Sequence, residues 1–348
     1  MISEITTKLS HSKNISYDEM CNIMDLILEG RTSVQETAEF LKNLTEKGES
    51  DEELLAMLDK IQDHATHIAP KCQGRIIDVC GTGGDRMSTF NISTAASFVI
   101  VASGGKVAKH GNRSVSGVYG SADIFEYFGY DLNSEPDDVK KIIEKFGIGF
   151  MFAQKFHPSM KNVADARKIL KTRTAFNLLG PLSNPAGVKD QLVGVFSTDY
   201  LLRVITLLKS RGAENIMTVI SDDGLDEIST TSKNHIYHLK NNKIGKIILE
   251  PTKLGIAKAN LTDIQVSTKD EAIKAFISVL QGTAKKSMIE ITALNAAAGL
   301  IVSDLSDTFE EALQITSDSI TSGKSYDLFK NFIKFCGDIS KIEEFEKI

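Results

Sequence analysis

Residues 81–94 read GTGGDRMSTFNIST, three glycines and an aspartate followed by a cluster of short hydroxyl and amide side chains. The preceding RIIDVC is a strand by its composition and the following NISTAASFVIVAS a helix, so the glycines form the turn between them. A turn of this kind suits an anion. Without Cβ atoms the backbone approaches a ligand closely, and the free N–H groups and dipole of a helix start favour negative charge. Asn91, Ser93 and Thr94 add side-chain donors there. Asp85 is the odd member, since a carboxylate repels phosphate; it makes sense as an acceptor for the loop's own N–H groups, for a ligand hydroxyl, or as a partner of a metal. The spacing is neither GxGxxG nor GxxxxGK[ST], and for the glycines alone an ordinary capped turn stays an open alternative.

A second loop, KHGNRSVSGVYGSAD (residues 109–123), follows the next strand, KVAKH. Lys109, His110 and Arg113 bring basic groups to a strand end, where ligands bind in open α/β sheets. Gly111, Gly117 and Gly120 keep the loop compact, and Ser114, Ser116 and Ser121 offer hydroxyls. Two such loops point to a ligand with more than one phosphate. The strand NIMTVIS runs into DDGLDEIS, which holds Asp222, Asp223, Asp226 and Glu227. An acidic pair by itself is more often a solvated surface feature; at a strand end beside phosphate it also fits magnesium, which binds through one or two carboxylates plus phosphate and water. Arg167, in the helical MKNVADARKIL, is either a surface arginine or a carboxylate receptor, for which its planar fork is apt. His157 before Pro158 reads as structural. The pairs His64/His67 and His235/His238 have no third ligand nearby and read as packing or surface residues.

The elements that position these groups follow from pattern. Ser16, Ser33 and Ser50 each precede a glutamate by three residues, capping-box spacing that predicts three helices over residues 16 to about 67. From Arg75 short β-rich runs alternate with helical stretches near 120–128 and 136–146, then IGFMFA, QLVGVF, NIMTVIS, HIYHL and KIILE as strands, with a mostly helical stretch over 269–335. The alternation predicts α/β architecture: a small helical N-terminal domain, 1–68, with part of about 160–188 packing on it, and a large α/β domain, 72–348, around a central mostly parallel sheet. With 348 residues, 42% hydrophobic, two domains with ample cores are expected. The net charge of −6 argues against broad attraction to nucleic acid. Cys21, Cys72, Cys80 and Cys336 form no CxxC pair and read as reduced thiols. No secretory signal and no membrane-length apolar run is visible, so a cytoplasmic protein is expected.

Taken together, GTGGD…TFNIST, KHGNRSVSG, TRTAFNLLGPLSNP and GLDE resemble the anthranilate phosphoribosyltransferases, in order and separation, over almost the whole chain. The resemblance implies a nucleoside phosphorylase/phosphoribosyltransferase-like fold, a homodimer, two Mg2+ ions, and transfer of phosphoribose from phosphoribosyl pyrophosphate (PRPP) to the amine of anthranilate. It implies that PRPP is bound by Gly81, Gly84, Asp85, Thr89, Asn91, Ser93, Thr94, by Lys109, His110, Gly111, Asn112, Arg113, Ser114, Val115, Ser116 and Gly117, and by Ser121. It places anthranilate at Gly81, Asn112 and Arg167, with His110, Gly180 and Pro181 along the channel, and metal at Ser93, Asp226 and Glu227. Lys109, Asn112 and Arg167 would act by positioning and electrostatics, with no residue as general base. Arg86, Met87 and Gln154 depart from the commonest family pattern. The alternatives are a pyrimidine nucleoside phosphorylase, which would use free phosphate, and a non-enzymatic nucleic-acid-binding relative, for which a basic surface and eroded motifs would be expected.

Overall fold

The computed structural model describes residues 2–83, 87–114 and 118–346. Two compact units result, one of Met1–His67 with Ala153–Pro185 and the other of Ile68–Phe152 with Ala186–Ile348.

The first unit is helical. Helices Tyr17–Leu28, Val34–Lys47 and Asp51–Asp63 start at Ser16, Ser33 and Ser50, and each serine forms both bonds of the expected capping box. Their buried faces meet through Met20, Ile23, Met24, Phe40, Leu41, Leu54, Met57 and Leu58. A further helix, Ile2–Ser10, precedes them; the sequence reading found none there. Nine residues are too few to hold a helix by propensity, and it is packing of Ile5 and Leu9 against Val34–Lys47 that sustains it. The chain returns to this unit as Ala153–Phe156, Lys161–Leu170 and Ala175–Leu182. Asn162 Nδ2 donates to Leu28 O at 2.8 Å and so ties the returning segment to the end of the second helix.

One buried ion pair organises the turn between two helices. Lys47 Nζ and Glu53 Oε2 lie 2.8 Å apart with side chains 3% and 0% exposed. Lys47 also donates to Asn14 Oδ1 and Gly48 O, and Glu53 accepts from the N–H groups of Ile15 and Ser50, so both charges are fully hydrogen-bonded.

The second unit is built on a seven-stranded sheet: β1 Ile77–Gly81, β2 Val107–Gly111, β3 Ile148–Phe152, β4 Asp190–Gly194, β5 Asn215–Ser221, β6 Asn234–Lys240 and β7 Lys243–Leu249. The order is β3-β2-β1-β4-β5-β6-β7. The first five are parallel, as the βα alternation predicts, and β6 and β7 close the sheet antiparallel. Asn241 and Asn242 turn that last hairpin with φ of 51° and 61°, the backbone a tight two-residue hairpin needs. Helices Ile92–Ala102 and Lys286–Val302 form the core of the unit. An aromatic cluster continues it, Phe98 meeting Phe329 edge-on at 5.0 Å and Phe125 stacking on Phe150 at 4.4 Å. Strand order reverses between β1 and β4, which puts the ligand crevice of such a sheet at their carboxyl ends.

Two predictions follow from buried charge and buried neutrality. Lys47→Met leaves Glu53 uncompensated and is expected to cost about 3–5 kcal/mol in urea unfolding; a loss below about 1 kcal/mol would contradict the pair's role. His157 is buried and its pKa is pushed down to about 4 by desolvation, and burial likewise takes His238 down to about 4. Below about pH 6.5 the unfolded chain takes up protons that these rings refuse in the fold until about pH 4. Stability is therefore expected to fall as pH drops through that window, and to fall less in His157→Gln; urea midpoints across it provide the check.

Candidate active site

The reversal point of the sheet is marked by two glycines side by side. Gly81 ends β1, Gly194 ends β4, and the two are register partners. The chain of Asp226 lies directly over them. A Cβ on Gly194 would overlap Asp226 O, and one on Gly81 would overlap Asp226 Oδ2. Thr82 N–H donates to Gly194 O at 2.9 Å, and Gly83 N–H donates to Asp226 Oδ2 at 2.7 Å. The glycine turn and the acidic loop, far apart in sequence, are thus one structure. Gly84, Asp85 and Arg86 lie outside the described residues.

Beyond the turn, helix Ile92–Ala102 begins at Asn91, whose side chain makes no cap bond. Asn91 instead donates through Nδ2 to Tyr119 O at 2.9 Å. Its Oδ1 is a buried acceptor with no partner among the described residues, and Thr82 Oγ1 is another such atom. Buried polar atoms left unsatisfied by the protein are a mark of a binding site. Ser93 is half-buried and Thr94 buried in that first turn, and Thr89 makes an isolated bridge to Gln265.

Lys109 on β2 is a buried cation. It is 2% exposed, and its Nζ donates to Val79 O at 2.8 Å and lies 3.2 Å from Ser93 Oγ. Burial lowers its pKa, against the opposing charges of Asp78 and Glu227. Asp78, wholly buried in β1, accepts from Val79 N–H at 2.8 Å and His110 N–H at 3.3 Å, joining β1 to β2 at the site. His110 is buried and Gly111 ends β2. Asn112 turns its Oδ1 onto Arg113 N–H at 2.8 Å, and its carbonyl accepts from Ser121 Oγ at 3.4 Å.

Arg113 lies in the second loop but faces carboxylates. Its guanidinium donates to both oxygens of Glu126, at 2.7 Å each, and to Asp123 at 2.8 Å; these bonds raise its pKa. Ser114 follows in the loop; Val115, Ser116 and Gly117 lie outside the described residues.

Of the four acidic residues after β5, the structure separates the roles. Asp222 pairs with His235 at 2.6 Å on the surface. Asp223 is taken up internally by the hydroxyls of Ser221, Thr231 and Ser229, and its N–H donates to Ser232 Oγ, which in turn donates to Lys233 O. Burial works to raise its pKa, and those hydroxyl contacts outweigh it and hold the carboxyl below the usual range. Asp226 is 7% exposed and Glu227 half-buried in the same loop.

In the helical unit, Arg167 sits half-buried on Lys161–Leu170, its guanidinium carbon 5.9 Å from the ring centroid of Phe176. Burial alone lowers its pKa, and it has no carboxylate partner among the described residues. A desolvated planar cation over an aromatic ring suits an anionic ligand. Gly180 and Pro181 lie in the neighbouring Ala175–Leu182, with open space where a Gly180 Cβ would be. The histidine pairs behave as structure: His64 meets Asp25, His67 backbone carbonyls and His238 Asn215. No cluster of three or more His, Cys, Asp or Glu that could hold a metal occurs among the described residues, nor any helix long and apolar enough to cross a membrane. Gly194, Asp78 and Asn295 were missed by the sequence reading. Each carries a signal there: a glycine inside a strand, a carboxylate inside a strand, and an amide inside an apolar helix.

Comparison with known proteins places this geometry. Residues 3–65 match the profile of the glycosyl transferase family helical bundle domain and residues 73–326 that of the glycosyl transferase family a/b domain. The chain is 57% identical to the anthranilate phosphoribosyltransferase of Nitrosopumilus maritimus, over 99% of each chain. The crystal structure of anthranilate phosphoribosyltransferase from Thermus thermophilus aligns with a TM-score of 0.88 at 32% identity, covering 95% of this chain and 99% of that one. The enzyme from Saccharomyces cerevisiae, in complex with PRPP and Mg, aligns with a TM-score of 0.83 at 25% identity, covering 96% and 97%.

The contact over β1 and β4 generates a prediction. The atom that a Gly194 methyl would strike is backbone, so the acidic loop itself must move. Gly194→Ala is expected to lower stability by about 1–3 kcal/mol, as overpacking does. Gly245→Ala, which meets nothing within 4 Å, is expected to leave the melting temperature near that of the parent. Equal behaviour of the two in a thermal melt would contradict the close approach.

Proposed function

The chain belongs to the anthranilate phosphoribosyltransferase family of glycosyl transferases, and on that footing we propose how its residues divide the work. The activity is a step of tryptophan biosynthesis: the phosphoribosyl group of PRPP passes to the amine of anthranilate, giving N-(5-phosphoribosyl)anthranilate and pyrophosphate. The hard event is departure of pyrophosphate from the anomeric carbon, which leaves oxocarbenium-like charge on the ribose. Donors and charge fixed beforehand where negative charge grows lower that barrier. The observation that carries the assignment is the buried Lys109 ammonium, held between Val79 O and Ser93 Oγ beside an uncapped helix start. Lys109 takes the pyrophosphate charge, and Gly81, Thr89, Asn91, Ser93, Thr94, His110, Gly111, Asn112, Ser114 and Ser121 line the PRPP cradle around it. Arg113, engaged by Glu126 and Asp123, has its strongest support as a brace of that loop.

An aromatic amine is neutral and nucleophilic at neutral pH, so no general base is assigned. Arg167 receives the anthranilate carboxylate, supported by its desolvated, unpaired guanidinium over Phe176. The assignment also gives anthranilate Gly180 and Pro181 in the helical unit, and Gly81, His110 and Asn112 in the sheet unit. Asp226, Glu227 and Ser93 offer hard oxygen donors, with Asp226 fixed by Gly83 N–H; a set with few carboxylates suits magnesium, which fills its shell with phosphate oxygens and water. Magnesium bound there, as two ions, would neutralise the leaving diphosphate. A homodimer working in the cytoplasm goes with this assignment; the four free thiols suit a reducing compartment.

Mixing the protein with PRPP, magnesium and anthranilate should extinguish anthranilate fluorescence, and no loss would reject the assignment. Arg167→Ala is expected to raise the KM for anthranilate by roughly 10- to 150-fold, the worth of a charged hydrogen bond, and that for PRPP far less. An equal rise in both would make Arg167 structural. Asp226→Asn with Glu227→Gln should remove most turnover at limiting magnesium in a folded protein; undiminished turnover would reject the metal role.

A further inference from the structure

We propose that Asn295 is a positioning residue for the Asp226–Glu227 pair, acting on it through the backbone of Ile228. This rests on the reading of the pair as ligands of a divalent cation. Asn295 is fully buried in the middle of Lys286–Val302, a helix whose buried run is apolar apart from Thr292, and Thr292 spends its hydroxyl on Met288 O of its own helix. Its Oδ1 accepts from Ile228 N–H at 2.9 Å, and its Nδ2 donates to Ile228 O and to Ile291 O, each at 2.8 Å. One side chain therefore satisfies both backbone groups of a single residue, as a neighbouring strand would.

The surrounding bonds show what this pairing accomplishes. Asn234, also fully buried, repeats it on the next residue, accepting from Ser229 N–H at 2.7 Å and donating to Ser229 O at 2.9 Å. On the other side Leu225 N–H donates to Ser221 Oγ at 3.0 Å, and Ser221 N–H to Leu225 O at 3.1 Å. Asp226 and Glu227 are the two residues between an anchored Leu225 and an anchored Ile228. The loop has no regular secondary structure to fix its carboxylates, and a site on a loop is only as exact as the shell behind it. An apolar side chain would fill the interior of this helix at lower desolvation cost than an amide, and the amide is sustained only by the pairing with Ile228 and Ile291. Substitutions one shell behind a metal ligand are felt in metal affinity.

The test measures Mn2+ binding in the presence of PRPP and without anthranilate, from the electron paramagnetic resonance signal of the free ion. Wild type, Asn295→Ser, Asn295→Asp and Thr316→Val are compared; Thr316 bonds Ala293 O of the same helix from a buried position away from the pair. Asn295→Ser is expected to weaken Mn2+ binding about 10-fold or more and to raise the magnesium needed for half-maximal turnover alike, with the KM for anthranilate within about twofold. Thr316→Val is expected to lower the melting temperature without moving Mn2+ affinity. Should Asn295→Ser not fold, the isosteric Asn295→Asp, which keeps an acceptor for Ile228 N–H, decides by the same criterion. Unchanged Mn2+ affinity in a folded Asn295 variant, or an equal loss in Thr316→Val, overturns the proposal. Wild-type turnover with no PRPP-dependent Mn2+ binding overturns the metal reading beneath it, a result recognisable without any variant.

Discussion

A lysine ammonium buried in the middle of β2 is the constraint from which the large unit's site follows. Removing a charge from water costs several kcal/mol unless it is paired and hydrogen-bonded. Lys109 is supplied with Val79 O, with Ser93 Oγ, and with the opposing charges of Asp78 and Glu227. Those partners lie on β1, on the start of helix Ile92–Ala102 and on the loop after β5. Satisfying one ammonium therefore fixes three elements at once, and all three belong to the reversal point of the sheet. Asp78 adds to this by joining β1 to β2 through His110 N–H.

The acidic loop meets a second demand, to hold two carboxylates in place. Neutral groups do this: hydroxyls absorb Asp223, asparagine amides grip Ile228 and Ser229, and a pair of glycines admits Asp226 against the sheet. The contrast with Arg113 is instructive, because there a basic residue of the second loop is already matched by Glu126 and Asp123 and contributes rigidity to the loop.

Much of this was legible in the sequence where cause and effect are close along the chain. Capping boxes at Ser16, Ser33 and Ser50 mark helix starts within four residues, and the strand-turn-helix at 77–102 announces its glycine turn. Legibility fails where a partner is remote. Helix Ile2–Ser10 exists because Val34–Lys47 covers it. Gly194 is required by Asp226, and Asn295 by Ile228, contacts that no local pattern contains. The antiparallel hairpin is readable as two strands, but its direction depends on an Asn-Asn turn at positive φ. Arg113 could not be sorted from Lys109 by residue type, since burial at 2% against a pairing on the surface is what separates them.

The claim that a buried cation at the sheet reversal receives the leaving pyrophosphate is tested most directly by calorimetric titration of PRPP with magnesium into the protein and into Lys109→Gln. The account predicts a folded variant whose PRPP affinity falls by roughly 10- to 150-fold, the range for a hydrogen bond to a charged group. PRPP affinity equal to that of the parent, in a variant that melts as a cooperative fold, would contradict it and make Lys109 a structural lysine of β2.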